Sequence, residues 1–195
     1  RGGASDNPDG EFGNLDYVVD WSDAARSHYQ KDFSARIIPE YLYYQIGVTW
    51  TLLTSAKQRF RLLPEYATFD MTGSSLFLKD VNNFNLLIAY LNSCVAEMYM
   101  KILNPTLALQ VKDVKNLPLP VSDVVHKAGP ITDELMAISE SDWMQNETSF
   151  KFAQLWPRNS KEINNKLEHF LIERVDETKK SIFRMKYLEE ENNRI

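Results

Sequence analysis

The sequence NNFNLLIAYLNSCVAEMYMKILNP, residues 82–105, contains the strongest secondary-structure signal in the chain. Asn82 and Asn83 are both suitable N-caps, because an asparagine side chain accepts a hydrogen bond from the first helical turn. We predict one amphipathic helix that ends near Leu103, where Asn104-Pro105 stops it. Its apolar residues recur at helical spacing, and they are Phe84, Leu87, Ile88, Leu91, Val95, Met98 and Ile102.

The segments before this helix are rich in β-branched and aromatic residues and predict short strands. Residues 22–35 are polar and predict a loop or a short helix, and Gly47 predicts a bend. The predicted strands are residues 17–21, 41–44, 48–51, 62–64 continuing into 67–71, and 75–78, the last as a strand or a turn.

The segments after the helix change from mixed to helical character. Residues 107–111 predict a further strand, residues 113–120 stay open because they contain two prolines, and residues 122–140 predict a helix broken near Gly129-Pro130. From Ser160 an apolar stripe continues for roughly nine helical turns, and such a stripe needs a partner surface. We therefore predict a mixed α/β domain over residues 1–157, with helices packed on a twisted mixed sheet, and a helical tail over residues 158–195.

The composition is that of a soluble globular protein: 44% of the 195 residues are hydrophobic and 25% are charged. Cys94 is the single cysteine, which excludes an internal disulfide, suits a reducing cytoplasm and predicts a small buried hydrophobe on the helix. No window of 18 uncharged apolar residues predicts a membrane span, and the N-terminus lacks a signal-peptide pattern. Because the sequence opens on Arg1 and stops after a charged run, we expect a piece of a longer protein.

The net charge of −5 argues against a general nucleic-acid binder, but the charge is unevenly distributed. Residues 36–120 carry eight Lys/Arg against six Asp/Glu, whereas the segments on either side are acidic. Lys and Arg neutralise phosphates, and polar side chains read base edges, although each of these cations taken singly is better interpreted as a solvated surface residue. The candidate DNA-contacting residues are Lys57, Arg59, Arg61, Ser74, Ser75, Lys79, Gln110 and Lys112.

Motifs for catalysis and cofactor binding are missing from the sequence. His28, His126 and His169 are far apart, and there is no nucleophile elbow, Walker loop or G-x-G-x-x-G. The tetrad Asn104-Pro105-Thr106-Leu107 differs from the Asn-Pro-Pro-Tyr/Phe motif of amino-methyltransferases, because Leu107 provides no ring to stack on a flipped base. We interpret the tetrad as a helix stop and predict no catalytic residue, no metal site and no cofactor site in this chain.

Several segments together resemble the phage-growth-limitation (PglX) type of adenine methyltransferase, the methylase of BREX defence systems, and related type II restriction-modification enzymes. The matching segments keep their order over nearly the whole chain. They are Phe12-Gly13-Asn14 with residues 17–21 (YVVDW), residues 47–51 (GVTWT), 61–64 (RLLP), 69–77 (FDMTGSSLF), 91–96 (LNSCVA), 102–107 (ILNPTL), 110–118 (QVKDVKNLP), 142–152 (DWMQNETSFKF) and 189–195 (EEENNRI). Glu11-Phe12 stands where the family has Trp-Tyr, Cys94 where it has Lys, and Lys112 where it has Gly.

The resemblance implies a DNA target-recognition domain with a trailing helical segment. It implies that the chain holds double-stranded DNA while a separate catalytic domain flips an adenine and methylates it with S-adenosylmethionine. The implied partners are DNA, that catalytic domain and other defence-system proteins. The alternative is a protein-interaction or scaffold module of the same complex, favoured by the acidic charge and the one-sided helix after Ser160.

Overall fold

The structure, a computed structural model, describes residues 10–13, 15, 17–35, 37–79, 83–119, 126–152 and 167–195. The described residues form a three-stranded sheet and six α-helices, which confirms the mixed α/β class. A 3-10 turn at Glu40–Leu42 lies between the first helix and the sheet. The elements are α1 (Asp23–Lys31), β1 (Gly47–Thr51), β2 (Phe60–Leu63), β3 (Gly73–Leu76), α2 (Phe84–Leu91), α3 (Cys94–Leu103), α4 (Val111–Lys115), α5 (Ala128–Trp143) and α6 (Leu167–Arg194).

The sheet has the strand order β2-β1-β3, and both pairings are antiparallel, so the expectation of mixed strand directions was wrong. The short connection between β1 and β2 favours their antiparallel pairing, because a parallel pair needs a long crossover. Side chains alternate along β1, and Trp50 faces the core with its partner Phe60 on β2. Thr49, opposite Arg61 and Ser75, faces the other side of the sheet.

The main core lies between this sheet and α2. Trp50 and Phe60 stack at 5.4 Å between ring centroids, and Ile88 and Leu91 of α2 belong to the same buried cluster. The indole N–H of Trp50 donates to the backbone carbonyl of Leu109, 2.9 Å away, so the ring is buried without leaving its polar atom unpaired. The strand prediction at residues 48–51 is confirmed.

The single helix predicted from residues 82–103 is two helices in the structure, α2 and α3, bent by 67°. Asn92 ends α2, and the Ser93 hydroxyl accepts from the Ala96 N–H and begins α3. After the bend the predicted apolar stripe points away from the core, so Val95 and Ile102 are exposed while Ala96 and Met100 are buried. Cys94, at the first turn of α3, is exposed, so its prediction as a buried residue was wrong.

Three predicted strands are not strands in the structure. Residues 17–21 and 67–71 are loops, and residues 41–44 fall on the 3-10 turn and a bend, because β-propensity forms no strand without a partner to pair with. Residues 107–111 contribute only an isolated bridge between Leu53 and Ala108, and α4 begins at Val111. Residues 22–35 contain α1, which confirms the short helix.

Helices α5 and α6 overlap the two C-terminal segments that were predicted to be helical. Pro130 does not break α5, because it lies in the first turn, where a missing N–H costs no helical hydrogen bond. The long helix is confirmed as α6, while the predicted boundary at residues 157 and 158 lies outside the described residues. Among the described helices, none alone is long and apolar enough to cross a membrane, and α2 and α3 reach that criterion only together, across their 67° bend.

Candidate nucleic-acid interface

The eight candidate DNA-contacting residues divide into an exposed group and a buried or ion-paired group. Lys57, Lys79, Gln110 and Lys112 are exposed. Arg59, Arg61, Ser74 and Ser75 are buried or half-buried in the fold. The structure therefore does not bring all eight residues to one surface.

The three cations of the densest cluster in the sequence, Lys57, Arg59 and Arg61, have different environments in the structure. Arg59 pairs with Glu189 of α6, with 2.8 Å between Nη1 and Oε1, and only 10% of its side chain is exposed. Arg61 is 3% exposed and lies on the sheet face opposite to Phe60. Lys57 reaches the surface, where its Nζ is 3.8 Å from Glu97. The three cations therefore do not form one continuous positive patch.

Ser74 and Ser75 have structural contacts in β3. The Ser75 hydroxyl donates to the Gly73 carbonyl at 3.1 Å, and the Ser74 carbonyl accepts from the Thr49 hydroxyl at 3.1 Å. The bond from Thr49 ties the edge strand β3 to β1, whereas the bond from Ser75 lies within β3. Their burial follows from the strand register, which the local sequence does not reveal.

Gln110 and Lys112 lie on α4, which contacts β3. The Gln110 N–H donates to Asp113 Oδ2 at 3.0 Å, and the Asn104 side chain donates to the same oxygen at 2.6 Å. Asn104 also ends α3, so the Asn104-Pro105 tetrad acts as a helix stop, as predicted, and orders the turn before α4. The glutamine and the aspartate three residues later are the signal that would have identified α4 from the sequence.

A groove with a volume of about 80 Å³ lies on the outer face of the sheet. Thr49 and Arg61 line it together with Tyr17, whose ring is exposed. Asp70 forms part of its rim. Burial opposes ionisation of Asp70, but hydrogen bonds from the Thr72 hydroxyl and the Gly73 and Thr72 N–H groups hold its pKa below the usual range.

A buried charge cluster, which sequence reasoning missed, joins the N-terminal segment to α6. Glu11 is 1% exposed, and its Oε2 has no hydrogen-bond partner among the described residues. Burial raises the pKa of Glu11 to about 7, Glu189 adds to the rise, and Arg59 and Arg61 oppose it. The Glu11 carbonyl accepts from Leu62 N–H at 2.8 Å, so the segment extends the edge of β2. Nothing in the local sequence marks this glutamate as buried.

Residues for metal binding do not come together in the part of the chain that the structure describes. There, no group of three or more His, Cys, Asp or Glu side chains is arranged to hold a metal ion. His28 and His126, two of the three histidines, are exposed, and His169 lies on the exposed first half of α6.

No family model matches the sequence, but two curated proteins are similar to it. The chain is 28% identical over 148 residues to the adenine-specific methyltransferase PglX of Lacticaseibacillus casei (strain Zhang). It is 29% identical over 152 residues to the adenine-specific methyltransferase BrxX of Escherichia coli O9:H4 (strain HS). The alignments cover 72% and 73% of this chain but 12% of each relative, so the chain spans about an eighth of their length. This similarity supports a family relationship with adenine-specific methyltransferases.

Proposed function

We propose that this chain is a DNA target-recognition part of a site-specific adenine DNA methyltransferase of the BREX or restriction-modification kind. In this proposal it positions duplex DNA while a catalytic domain outside the chain flips the adenine and transfers a methyl group from S-adenosylmethionine. The observation that carries the proposal is the similarity of nearly three quarters of the chain to an eighth of two adenine-specific methyltransferases.

The exposed members of the candidate set support a contact surface near α4 and β3. Lys112 and Gln110 are on or beside α4, Lys79 follows β3, and α4 contacts β3. Lysines on such a surface neutralise phosphates and fix the register of the protein on the duplex. Arg59 and Arg61, by contrast, hold the fold through their buried environment, so we assign them no phosphate contact.

The test of the proposal is a chimera. Residues 36–120 of this chain replace the corresponding stretch of the E. coli relative, and methylated-base sequencing of genomic DNA reads the methylated motif. A changed adenine motif is expected, because the exchanged segment reads the sequence. A control chimera that exchanges residues 126–152 should keep the motif of the relative. Methylation at an unchanged motif in the first chimera would reject the recognition assignment.

The exposed lysines give a second prediction. Replacing Lys79 and Lys112 together by alanine should weaken DNA binding of the methylation-competent chimera. The slope of log affinity against log salt should fall by about two, since each lost phosphate contact removes close to one unit. The charge-matched control is made in a chimera extended to residues 17–152 of this chain: there, replacing the exposed residues Lys31 and Lys127 by alanine should leave the slope unchanged.

A scaffold module is the second candidate function, and the apolar surface of α6 favours it. Leu171, Ile172 and Val175 are exposed on this helix, and the net charge of the chain is −5. A surface of this kind binds protein rather than DNA. An unchanged methylation motif in the 36–120 chimera, together with loss of complex assembly when α6 is removed, would support this function.

A further inference from the structure

The Asn104 side chain, besides following the end of α3, forms a hydrogen bond through each of its four polar positions. Its Oδ1 accepts from the Thr106 N–H at 3.0 Å and from the Thr106 hydroxyl at 2.6 Å. Its Nδ2 donates to the Ala108 carbonyl at 2.9 Å and to Asp113 Oδ2 at 2.6 Å. An asparagine amide offers two acceptor and two donor positions, so this side chain is fully engaged in holding residues 104–113 together.

The backbone of Gln110 is fixed on both sides, whereas its side chain is exposed. The Gln110 N–H donates to Asp113 Oδ2 at 3.0 Å, and the same oxygen accepts from Asn104. Leu109, before it, is 6% exposed, and both its N–H and its carbonyl are hydrogen-bonded at 2.9 Å. Val114, after it, is 5% exposed. The structure therefore presents one exposed amide side chain from an ordered backbone.

Helix α4 depends on these anchors because it is only five residues long. An isolated helix of this length is unstable in water, because the cost of nucleation exceeds the gain from so few hydrogen bonds. The core holds α4 through Val114, and the Asp113 carboxylate joins its first turn to Asn104 at the end of α3. Loss of the bond between Asn104 and Asp113 therefore removes an anchor of Gln110 while the core contact of α4 remains.

An exposed amide on an ordered backbone has the chemistry that reading a base edge requires. A glutamine pairs with adenine in the major groove through one donor and one acceptor, and such a contact discriminates well only when the side chain is held in place. We propose that Gln110 reads a base edge and that Asn104 and Asp113 are positioning residues for it. This inference rests on the proposed function and deepens it, because it names a residue that reads the sequence and the pair that holds it.

The test uses the chimera that carries residues 36–120 of this chain. The readout is the ratio of the methylation rate on its motif to the rate on duplexes that differ from the motif by one base pair. Gln110→Ala should lower this ratio at one position by about tenfold, the discrimination that one good base contact provides. Asn104→Ala should lower it at the same position. The two changes together should lower it no further than Gln110→Ala alone, because both remove the same contact.

An exchange of the two positioning residues tests their hydrogen bond directly. Asn104→Asp should also lower the ratio, because it places a second carboxylate beside Asp113. Asn104→Asp combined with Asp113→Asn should restore the ratio, because an amide again faces a carboxylate and the new asparagine oxygen still accepts from the Gln110 N–H. The Thr106 hydroxyl, 3.4 Å from the Ala108 carbonyl, can replace the bond that this carbonyl loses. An exchanged pair that discriminates no better than Asn104→Asp overturns the positioning role.

Two matched variants separate positioning from loss of stability. Gln45→Ala removes an exposed glutamine outside α4, and Asn92→Ala removes a buried asparagine whose side chain pairs with the backbone of β2. Both should keep the ratio, and circular dichroism should show native helix content in every variant. If Gln110→Ala lowers the ratio and Asn104→Ala does not, the positioning role is wrong and the base contact stands. If Gln110→Ala leaves the ratio unchanged at every position, the whole inference is wrong, while the proposed function fails only if the unaltered chimera keeps the motif of the relative.

Discussion

Glu11 places an ionisable side chain in a buried position. Its carboxyl group is removed from water beside the ion pair of Arg59 and Glu189, and burial raises its pKa to about 7. A neutral glutamic acid avoids the cost of an unpaired buried charge. The same residue bonds through its backbone carbonyl to Leu62, so the cluster joins the N-terminal segment, β2 and α6.

The first prediction concerns the pH dependence of stability. The pKa of Glu11 is about 7 in the folded protein and returns to 4.5 on unfolding, so between these values the folded state binds more protons. The free energy of unfolding should therefore fall as pH rises from 4.5 to 7, by about 3 kcal/mol in total. Glu11→Gln stays neutral and should lack this loss, as measured by urea unfolding across the pH range.

Glu65→Gln provides the matched control, because Glu65 is exposed. Its stability profile should follow that of the unaltered chain. Equal pH profiles for the unaltered chain and Glu11→Gln would contradict the raised pKa.

At the residue scale, the sequence did not show which charged side chains are buried. The strand at residues 48–51 was predicted, and its Trp50 is 1% exposed in the structure. Arg59 and Arg61 were grouped with Lys57 as candidate DNA-contacting cations, yet Arg59 pairs with Glu189 of α6 and Arg61 is 3% exposed. Whether a charged side chain is buried depends on partners that are distant in sequence, such as Glu189 for Arg59. A short sequence pattern does not identify such partners.

At the scale of elements, the break between α2 and α3 is the most informative difference from prediction. The apolar period continues through Asn92-Ser93, so periodicity alone predicts one helix. The Asn92 side chain instead accepts from Phe60 N–H at 3.0 Å and donates to the Phe60 carbonyl at 2.9 Å. Through these two bonds, the Asn92 side chain pairs the backbone N–H and carbonyl of Phe60 at the edge of β2. Ser93 then supplies the N-cap of α3.

The second prediction tests this link. Asn92→Ala should lower the free energy of unfolding by about 2–3 kcal/mol, because it leaves the buried N–H and carbonyl of Phe60 without partners. Chemical denaturation at fixed pH measures the loss. Asn116→Ala is the matched control, since Asn116 is an exposed asparagine that also ends a helix, and it should cost much less. A loss at Asn92 no greater than at Asn116 would contradict the bridging role.

Predicted elements succeeded where the pattern and a tertiary partner agreed. Residues 48–51 pair on both sides, with β2 and β3, and form the centre of the sheet. Residues 17–21 have comparable strand composition but no pairing, and Val18 is 94% exposed. Residues 111–115 form α4 through the bond between Gln110 and Asp113, a local signal that the nearby prolines obscured.

At the scale of the whole molecule, α6 is attached to the rest of the described structure by its end. Its contacts include Arg184 with α5, Glu189 with Arg59 just before β2, Asn192 with α2 and Asn193 with α3, whereas Leu171 and Val175 are exposed. Because most helical stability in proteins comes from tertiary packing, the docked and undocked parts of α6 should differ in stability. The long tail predicted from the apolar stripe is therefore one helix with two environments.

The third prediction follows from this difference and is measured by hydrogen exchange. In dilute solution, the backbone amides of residues 184–194 should exchange slowly, since tertiary contacts must open first, whereas those of residues 169–178 should exchange fast. Fast exchange in residues 184–194, or protection of residues 169–178 equal to theirs, would contradict the docked end.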